Sequence, residues 1–165
     1  MAANRESADA AIEGIATTTQ QALSNMRLLL FELRPPLLER EGLAAALRSR
    51  LQAVESRAGL NTDLDCIGEG RVAAEAEHEL FRLAQEALNN VLKHARARAA
   101  RVRLEFANDH ITLEVADDGV GFEPALAIRD HGLDRMRDLA ARLGGTVSIQ
   151  SSIGSGTRVL AKVPR

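Results

Sequence analysis

The stretch QEALNNVLKHA, residues 85–95, places three amides, a carboxylate, a lysine and a histidine within about three turns of a helix. Apolar residues around it recur at steps of three and four, which predicts the buried side of a helix over residues 73–97. The members of this buried side are Leu80, Leu83, Ala84, Ala87, Leu88, Val91 and Ala95. The stretch is therefore predicted to lie on a long amphipathic helix near the middle of the chain.

The polar residues of this helix share one face. At about 100° per residue, Glu86, Asn90 and Lys93 fall within one narrow sector opposite the buried side. His94 lies at the edge of that sector. Because Asn is a poor helix former, two adjacent asparagines indicate a need for their side chains. We interpret the sector as a functional face, and Asn89 as a solvated helix residue.

The composition limits the classes of function. The 165 residues carry a formal net charge of −2, and aromatic residues make up 2%, with no Trp or Tyr. Nucleic-acid binding is disfavoured, because it usually requires a basic excess and rings on which bases stack. Cys66 is the single cysteine, which excludes an intrachain disulfide and a zinc site built on several thiolates. The longest apolar run, residues 28–31, is too short to span a bilayer, so we expect a cytoplasmic chain without membrane contact.

The N-terminal residues predict a helical arm. Nothing breaks a helix between residues 7 and 33, and residues at alternating steps of three and four form a heptad seam. The seam consists of Ile12, Ile15, Thr19, Ala22, Met26, Leu29 and Leu33. Pro35 and Pro36 follow and end the helix. The pattern favours an arm that pairs with another helix, and a helix packed on its own domain is the alternative.

The other segments predict an α+β fold. Residues 43–51 have helical spacing, and residues 59–65 alternate as a strand does. Residues 101–107 and 111–118 predict a hairpin with Asn108, Asp109 and His110 in its turn. A glycine-rich loop, a helix ending at Gly144 and Gly145, and a hairpin of residues 146–152 and 157–164 complete the chain. We predict a two-layer α/β sandwich, a mixed and mostly antiparallel sheet covered by helices, with an N-terminal helical arm.

Three glycine clusters follow the polar helix. DDGVGF starts with Asp117 where a strand ends, and a carboxylate there can accept a hydrogen bond from a ligand amine. HGL at residues 131–133 and GSGT at residues 154–157 come next. Glycine loops let backbone N–H groups approach phosphates, since glycine has no Cβ. The phosphate-binding patterns of P-loop proteins and of dinucleotide-binding folds are absent from the sequence.

Together these motifs resemble the ATP-binding domain of sensor histidine kinases, whose Bergerat (GHKL) fold is shared with gyrase, chaperone and mismatch-repair ATPases. FRLAQEALNNVLKHA is similar to the family's N box, and DDGVGF, HGLDRM and GSGT are similar to its three glycine boxes, in the family's order. LRPPLLEREGLAAAL, residues 33–47, resembles a junction in the nitrate-sensor class of these kinases. The resemblance implies that residues 1–36 are the second helix of an incomplete dimerisation hairpin and residues 37–165 the catalytic domain.

The resemblance also implies roles for individual residues. Asn90 corresponds to the amide that binds Mg²⁺, and Glu86 to the carboxylate that orients or activates the attacking group near the γ-phosphate. Asp117 corresponds to the adenine anchor, which accepts from the exocyclic amine. The other implied nucleotide-binding residues are Lys93 and His94 near the phosphates, Gly119 and Gly121 beside the base, His131, Gly132 and Leu133 at the loop over the phosphates, Gly154 and Gly156 in the last hairpin, and Thr157 beside the anchor.

The implied function is a protein-histidine kinase with ATP and Mg²⁺ as cofactors. The γ-phosphate would pass to a histidine of the dimerisation helix and then to an aspartate of a response regulator, and the arm would form a homodimer. None of His78, His94, His110 and His131 occupies the acceptor's place, so we expect no autophosphorylation by this chain alone. Asp130 stands where the second glycine box usually has glycine. A non-catalytic scaffold module and an anti-sigma-factor serine kinase are the alternatives.

Overall fold

The computed structural model describes residues 36–124 and 131–165 of the chain. The elements in these ranges are α1 (Pro36–Glu41), α2 (Leu43–Ala58), β1 (Asn61–Ile67), α3 (Ala74–Asn90) continued by a π-helical turn (Val91–Ala95), β2 (Ala99–Phe106), β3 (His110–Asp117), α4 (His131–Arg142), β4 (Thr146–Ser151) and β5 (Thr157–Pro164). The predicted arm with its heptad seam, and Asp130, lie outside the described residues. Within the two ranges, no helix combines the length and hydropathy needed to span a bilayer.

The five strands form one sheet in the order β1-β2-β3-β5-β4. β2 and β3 form one hairpin, β4 and β5 form another, and β3 pairs antiparallel with β5. β1 pairs parallel with β2, because α3 between them returns the chain to the same end of the sheet. The predicted mixed and mostly antiparallel sheet is confirmed.

One face of the sheet is buried beneath the helices. Leu104, Leu113 and Ala161 stand opposite one another on three neighbouring strands, and all three are fully buried. The alternate positions face outward, and many of them carry charges. On this outer face Arg101 and Asp63 form an ion pair at 3.2 Å, and Arg103 and Asp65 form another. Burial at every second residue of a strand is what a sheet covered on one side requires. The predicted two-layer α+β sandwich is confirmed.

α3 packs against the sheet and against α4, which also packs on the sheet. All seven residues predicted for its buried side are buried, and Phe81 joins them. The α4 arginines Arg135 and Arg142 lie 3.8 Å from Glu86 and Glu79 respectively. The residue numbers of the two pairs run in opposite directions, so the helices are antiparallel. This arrangement brings the beginning of α4 beside the polar end of α3.

Several predicted boundaries differ from the structure. α2 continues to Ala58, and β1 begins at Asn61, later than predicted. The α-helical geometry of α3 ends at Asn90, because the chain then widens into the π-helical turn, which Arg96 closes with a left-handed φ of 51°. His110 is the first residue of β3 and pairs with Pro164, so its predicted place in the hairpin turn was wrong.

Candidate functional site

A cavity of about 320 Å³ opens between the polar end of α3, the loop after β3, the start of α4 and β5. Most of its wall is apolar, and a few polar side chains reach it. The lining residues are Ala87, Asn90, Val91, His94, Ala95, Val115, Asp117, Gly121, Phe122, Leu133, Thr157 and Val159. A cavity of this size with a mostly apolar wall and few polar groups is typical of a small-molecule site.

Asp117, the last residue of β3, forms one polar end of the cavity. Its Oδ1 accepts a hydrogen bond from the backbone N–H of Gly119 at 2.8 Å. Burial raises the pKa of this carboxyl above its ordinary value of 3.8, although backbone hydrogen bonds from Gly119 and Thr157 act in the opposite direction. The carboxylate is therefore oriented by the backbone and only partly hydrated, which suits it to accept a hydrogen bond from a ligand.

The neighbouring Asp118 has a structural role. Its Oδ1 accepts from the backbone N–H groups of Arg98 at 2.8 Å and Ala99 at 2.9 Å. These bonds lower the pKa of Asp118, the opposite direction from Asp117. They also fasten the loop after β3 to the beginning of β2. Of the two adjacent aspartates, Asp117 is the one that lines the cavity.

The first glycine cluster packs against the π-helical turn. The Val120 N–H donates to the Ala95 carbonyl at 2.8 Å, and a Cβ on Gly119 would collide with that same carbonyl. The Gly154 N–H of the last hairpin donates to the Val120 carbonyl at 2.7 Å. The structure therefore places Gly119 and Gly154 in contacts that hold the loops together, while Gly121 lines the cavity.

The third glycine cluster lies against the end of β3. Gly156 has a φ of +73°, and a Cβ there would collide with the backbone carbonyl of Asp117. Thr157 follows, pairs with Asp117 across the β3–β5 ladder and lines the cavity. The two glycine clusters and the carboxylate thus meet at one end of the sheet.

Ser151 is a site residue that the sequence analysis missed. Its Oγ accepts from the Phe122 N–H at 2.9 Å, donates to the Gly156 carbonyl at 2.9 Å and lies 3.1 Å from Thr157 Oγ1. No glycine or motif marks this serine. Only the pairing of Ser151 with Thr157 at the ends of β4 and β5 reveals its position.

Of the four polar residues predicted for the functional face, two line the cavity and two do not. Asn90 and His94 line the cavity. Glu86 lies one turn before Asn90, is half-buried, and has its Oε2 3.8 Å from Arg135 Nη1. Lys93 is exposed and is not among the lining residues, since the wider turn after Asn90 changes the angular spacing on which the predicted sector depended.

Asn89 was wrongly interpreted as a solvated residue. Its Oδ1 accepts a hydrogen bond at 2.8 Å from Nη2 of Arg50, a buried guanidinium on α2 that is 8% exposed. The two adjacent asparagines therefore serve different purposes. Asn89 joins two helices inside the protein, and Asn90 faces the cavity.

The second glycine cluster opens α4. Leu133 is buried and lines the cavity, and Gly132 beside it is half-buried. His131 begins the helix, and its side chain lies outside the described part of the chain. The Gly144 and Gly145 pair ends α4 as predicted, with the Gly145 N–H donating to the Ala140 carbonyl at 2.9 Å.

Comparison with known proteins identifies the family. Residues 75–165 match the sequence profile of the family described as Histidine kinase-, DNA gyrase B-, and HSP90-like ATPase. The chain belongs to this ATPase family. It is 34% identical over 145 residues to the sensor histidine kinase LiaS of Bacillus subtilis. The matched region covers 87% of this chain and 40% of LiaS. It is 36% identical over 156 residues to the oxygen sensor histidine kinase NreB of Staphylococcus carnosus. That match covers 93% of this chain and 44% of NreB.

The ATPase chain spans about two fifths of the length of these curated relatives. Its fold is that of the histidine kinase domain from a blue-light activated histidine kinase of Erythrobacter litoralis, with a TM-score of 0.61. The two share 23% identity over 74% of this chain and 64% of that one. The predicted histidine kinase-type ATPase domain is confirmed, and ATP is the nucleotide that this family binds.

Proposed function

We propose that this chain binds Mg²⁺-ATP as the catalytic domain of a sensor histidine kinase. The γ-phosphate would pass to a histidine outside these residues and then to an aspartate of a response regulator, in a homodimer formed through residues 1–36. The observation that carries the proposal is the half-buried carboxylate of Asp117 at one end of an apolar cavity, with Asn90 and His94 also on its wall. The curated relatives are named as sensor kinases, which favours this function over the anti-sigma-factor alternative.

Asp117 would anchor the base. A carboxylate accepts from the exocyclic amine of adenine, whereas guanine presents a carbonyl at that position, and two acceptors repel. The apolar wall beside Asp117, which includes Val115 and Val159, would bury the faces of the ring. Thr157 stands next to the carboxylate. Gly121 also lines the cavity, and a Cβ there would collide with the backbone carbonyl of Ser152.

Asn90 would hold the metal at the reacting end of the nucleotide. The amide oxygen of Asn90 is a hard donor, which fits Mg²⁺, a hard cation that keeps several waters. Among the residues that the structure describes, no group of three or more His, Cys, Asp and Glu residues could hold a metal by itself. The phosphates would therefore complete the coordination, and Mg²⁺ would neutralise their charge. Lys93 and His94 would approach the phosphates from the π-helical turn.

Glu86 would act on the attacking imidazole, because a carboxylate near the γ-phosphate can orient that ring or accept its proton. The 3.8 Å contact between Glu86 and Arg135 brings Glu86 beside the beginning of α4, where the second glycine cluster lies. His131, Gly132 and Leu133 would form the far hinge of the loop over the phosphates. Gly119, Gly154 and Gly156 would hold the base end of the cavity together through the backbone contacts described above.

Labelling with γ-labelled ATP tests the kinase function. The 165-residue chain should gain no label, because the accepting histidine lies outside it. The same chain extended upstream through the first helix of the dimerisation hairpin should gain acid-labile, alkali-stable phosphate. Glu86→Gln in the extended chain should slow labelling by about 100-fold or more. His78→Gln is the control and should label normally, since His78 lies on α3. Stoichiometric label on the 165-residue chain would contradict the proposal.

Lowering the pH should weaken the binding of adenosine. The loss should begin at a higher pH than it would with an aspartate of ordinary pKa. Protonation removes the charge that accepts the exocyclic amine, and burial raises the pKa of Asp117. Affinity should be constant above this raised pKa and fall up to about tenfold per pH unit below it. Adenosine is the probe because it has no phosphate that titrates. Calorimetric titrations from about pH 8 down to about pH 4 measure the profile.

The control for the pH profile is Asp118→Asn. The pKa of Asp118 is lowered, so this carboxylate stays ionised over most of the range, and the amide oxygen of Asn can still accept from the backbone. The variant should show the same pH dependence as the unmodified chain. An adenosine affinity that does not change down to the pH at which the chain unfolds would contradict the role of Asp117.

A further inference from the structure

Ser151 connects three segments of the proposed base site. Its Oγ accepts from the backbone of Phe122, donates to the backbone of Gly156 and contacts the hydroxyl of Thr157, at 2.9 Å, 2.9 Å and 3.1 Å. Phe122 and Thr157 both line the cavity, and Gly156 lies against Asp117. A serine hydroxyl has one proton and two lone pairs. These three contacts use all of its hydrogen-bonding capacity.

The same contacts fix the direction of the hydrogen bond between the two hydroxyls. The carbonyl of Gly156 can only accept, and the N–H of Phe122 can only donate. The single proton of Ser151 therefore points to Gly156, and Thr157 must donate its own proton to Ser151. With its proton donated to Ser151, the Thr157 hydroxyl can only accept hydrogen bonds, through the two lone pairs of its oxygen.

We propose that Ser151 is a positioning residue that makes the base end of the site accept only hydrogen-bond donors. This inference rests on the proposed nucleotide-binding function. Asp117 and Thr157 are directly opposite each other on β3 and β5, so their side chains project from the same face of the sheet. A carboxylate beside a hydroxyl that has already donated its proton presents two acceptors. This pair matches the two N–H groups of an exocyclic amine and repels a ring carbonyl at the same place.

Without Ser151 the Thr157 hydroxyl could turn and donate to a carbonyl. Selection between an amino purine and an oxo purine should then weaken, even where the pocket keeps its shape. The appropriate ligands are ADP and inosine diphosphate, because the base of the second carries a carbonyl in place of the exocyclic amine. A general loosening of the pocket would weaken both ligands together, so the ratio of their Kd values isolates the effect of Ser151.

The test is a calorimetric measurement of this ratio in Ser151→Ala, Thr157→Val and the double variant. Each single change should reduce the preference for ADP by about fivefold, as expected for one neutral hydrogen bond. The double variant should show no further loss, because both changes remove the same acceptor. Ser148→Ala, on the exposed side of the same strand, should leave the ratio unchanged.

An unchanged ratio in Ser151→Ala, or effects of the two changes that multiply in the double variant, would overturn the inference. If Ser151→Ala fails to fold, Thr157→Val decides alone, since valine keeps the shape of threonine and an unchanged ratio there overturns it equally. Failure of the proposed function would look different: the unmodified chain would then bind neither nucleotide.

Discussion

Asp117→Asn should remove most of the affinity for ADP. The change keeps the size of the side chain but replaces a charged acceptor with an amide, which loses a charge-assisted hydrogen bond to the exocyclic amine. Such a bond contributes about 1.5–3 kcal/mol, so Kd should rise roughly 10- to 150-fold.

The matched control is Asp118→Asn, one residue further along the chain. Asp118 holds the backbone of Arg98 and Ala99 and does not line the cavity, so ADP affinity should change by less than about twofold. Calorimetric titration of both variants, with thermal unfolding to confirm that each is folded, makes the comparison. Equal losses in the two variants would show that the loop, rather than the carboxylate of Asp117, controls binding.

Asn90→Ala should strongly reduce the contribution of Mg²⁺ to nucleotide binding. In the unmodified chain, ATP should bind more tightly with Mg²⁺ than with a chelator present. Asn90→Ala should lose at least about tenfold of that difference, since residues that only support metal ligands already change metal affinity by about 10- to 100-fold. Binding in the chelator should be nearly unaffected, because Asn90 would act on the nucleotide chiefly through the metal.

The adjacent Asn89→Ala supplies the contrast. It removes one acceptor of a buried guanidinium on α2, so it should lower the free energy of unfolding by about 1–3 kcal/mol while leaving the Mg²⁺ dependence intact. Parallel measurements of thermal unfolding and of ATP affinity with and without Mg²⁺ separate the two roles. Loss of Mg²⁺ dependence in Asn89→Ala, or its retention in Asn90→Ala, would exclude the assignment of Asn90 as the metal ligand.

Periodicity carried the prediction of the fold because the packing of the elements is regular. Every residue that the steps of three and four identified on α3 and its π-helical turn is buried, and the alternation from Thr157 to Pro164 marked β5 at the bounds that the structure has. A helix or a strand that buries one face repeats its apolar residues with the period of its backbone. Local order of this kind can be predicted from neighbouring residues alone.

The missed features depend on contacts between distant residues or on backbone geometry without a marker. No glycine or proline announces the π-helical turn at Val91–Ala95, so Lys93 was predicted to share a sector with Asn90. The partner of Asn89 is Arg50, 39 positions away. Ser151 acquires its role only from its register with Thr157, which the sequence does not state. For Asn89 and Ser151 the side-chain type was visible in the sequence and its partner was not.

The central claim is that the cavity beneath Asp117 binds an adenine nucleotide. Its most direct test is calorimetric titration of the unmodified chain with Mg²⁺-ADP and Mg²⁺-GDP under the same conditions. We predict that ADP binds with a preference over GDP of about tenfold or more, because a carboxylate at the base end accepts from an amine and repels a carbonyl. Equal affinity for the two nucleotides, or binding of neither, would contradict this account.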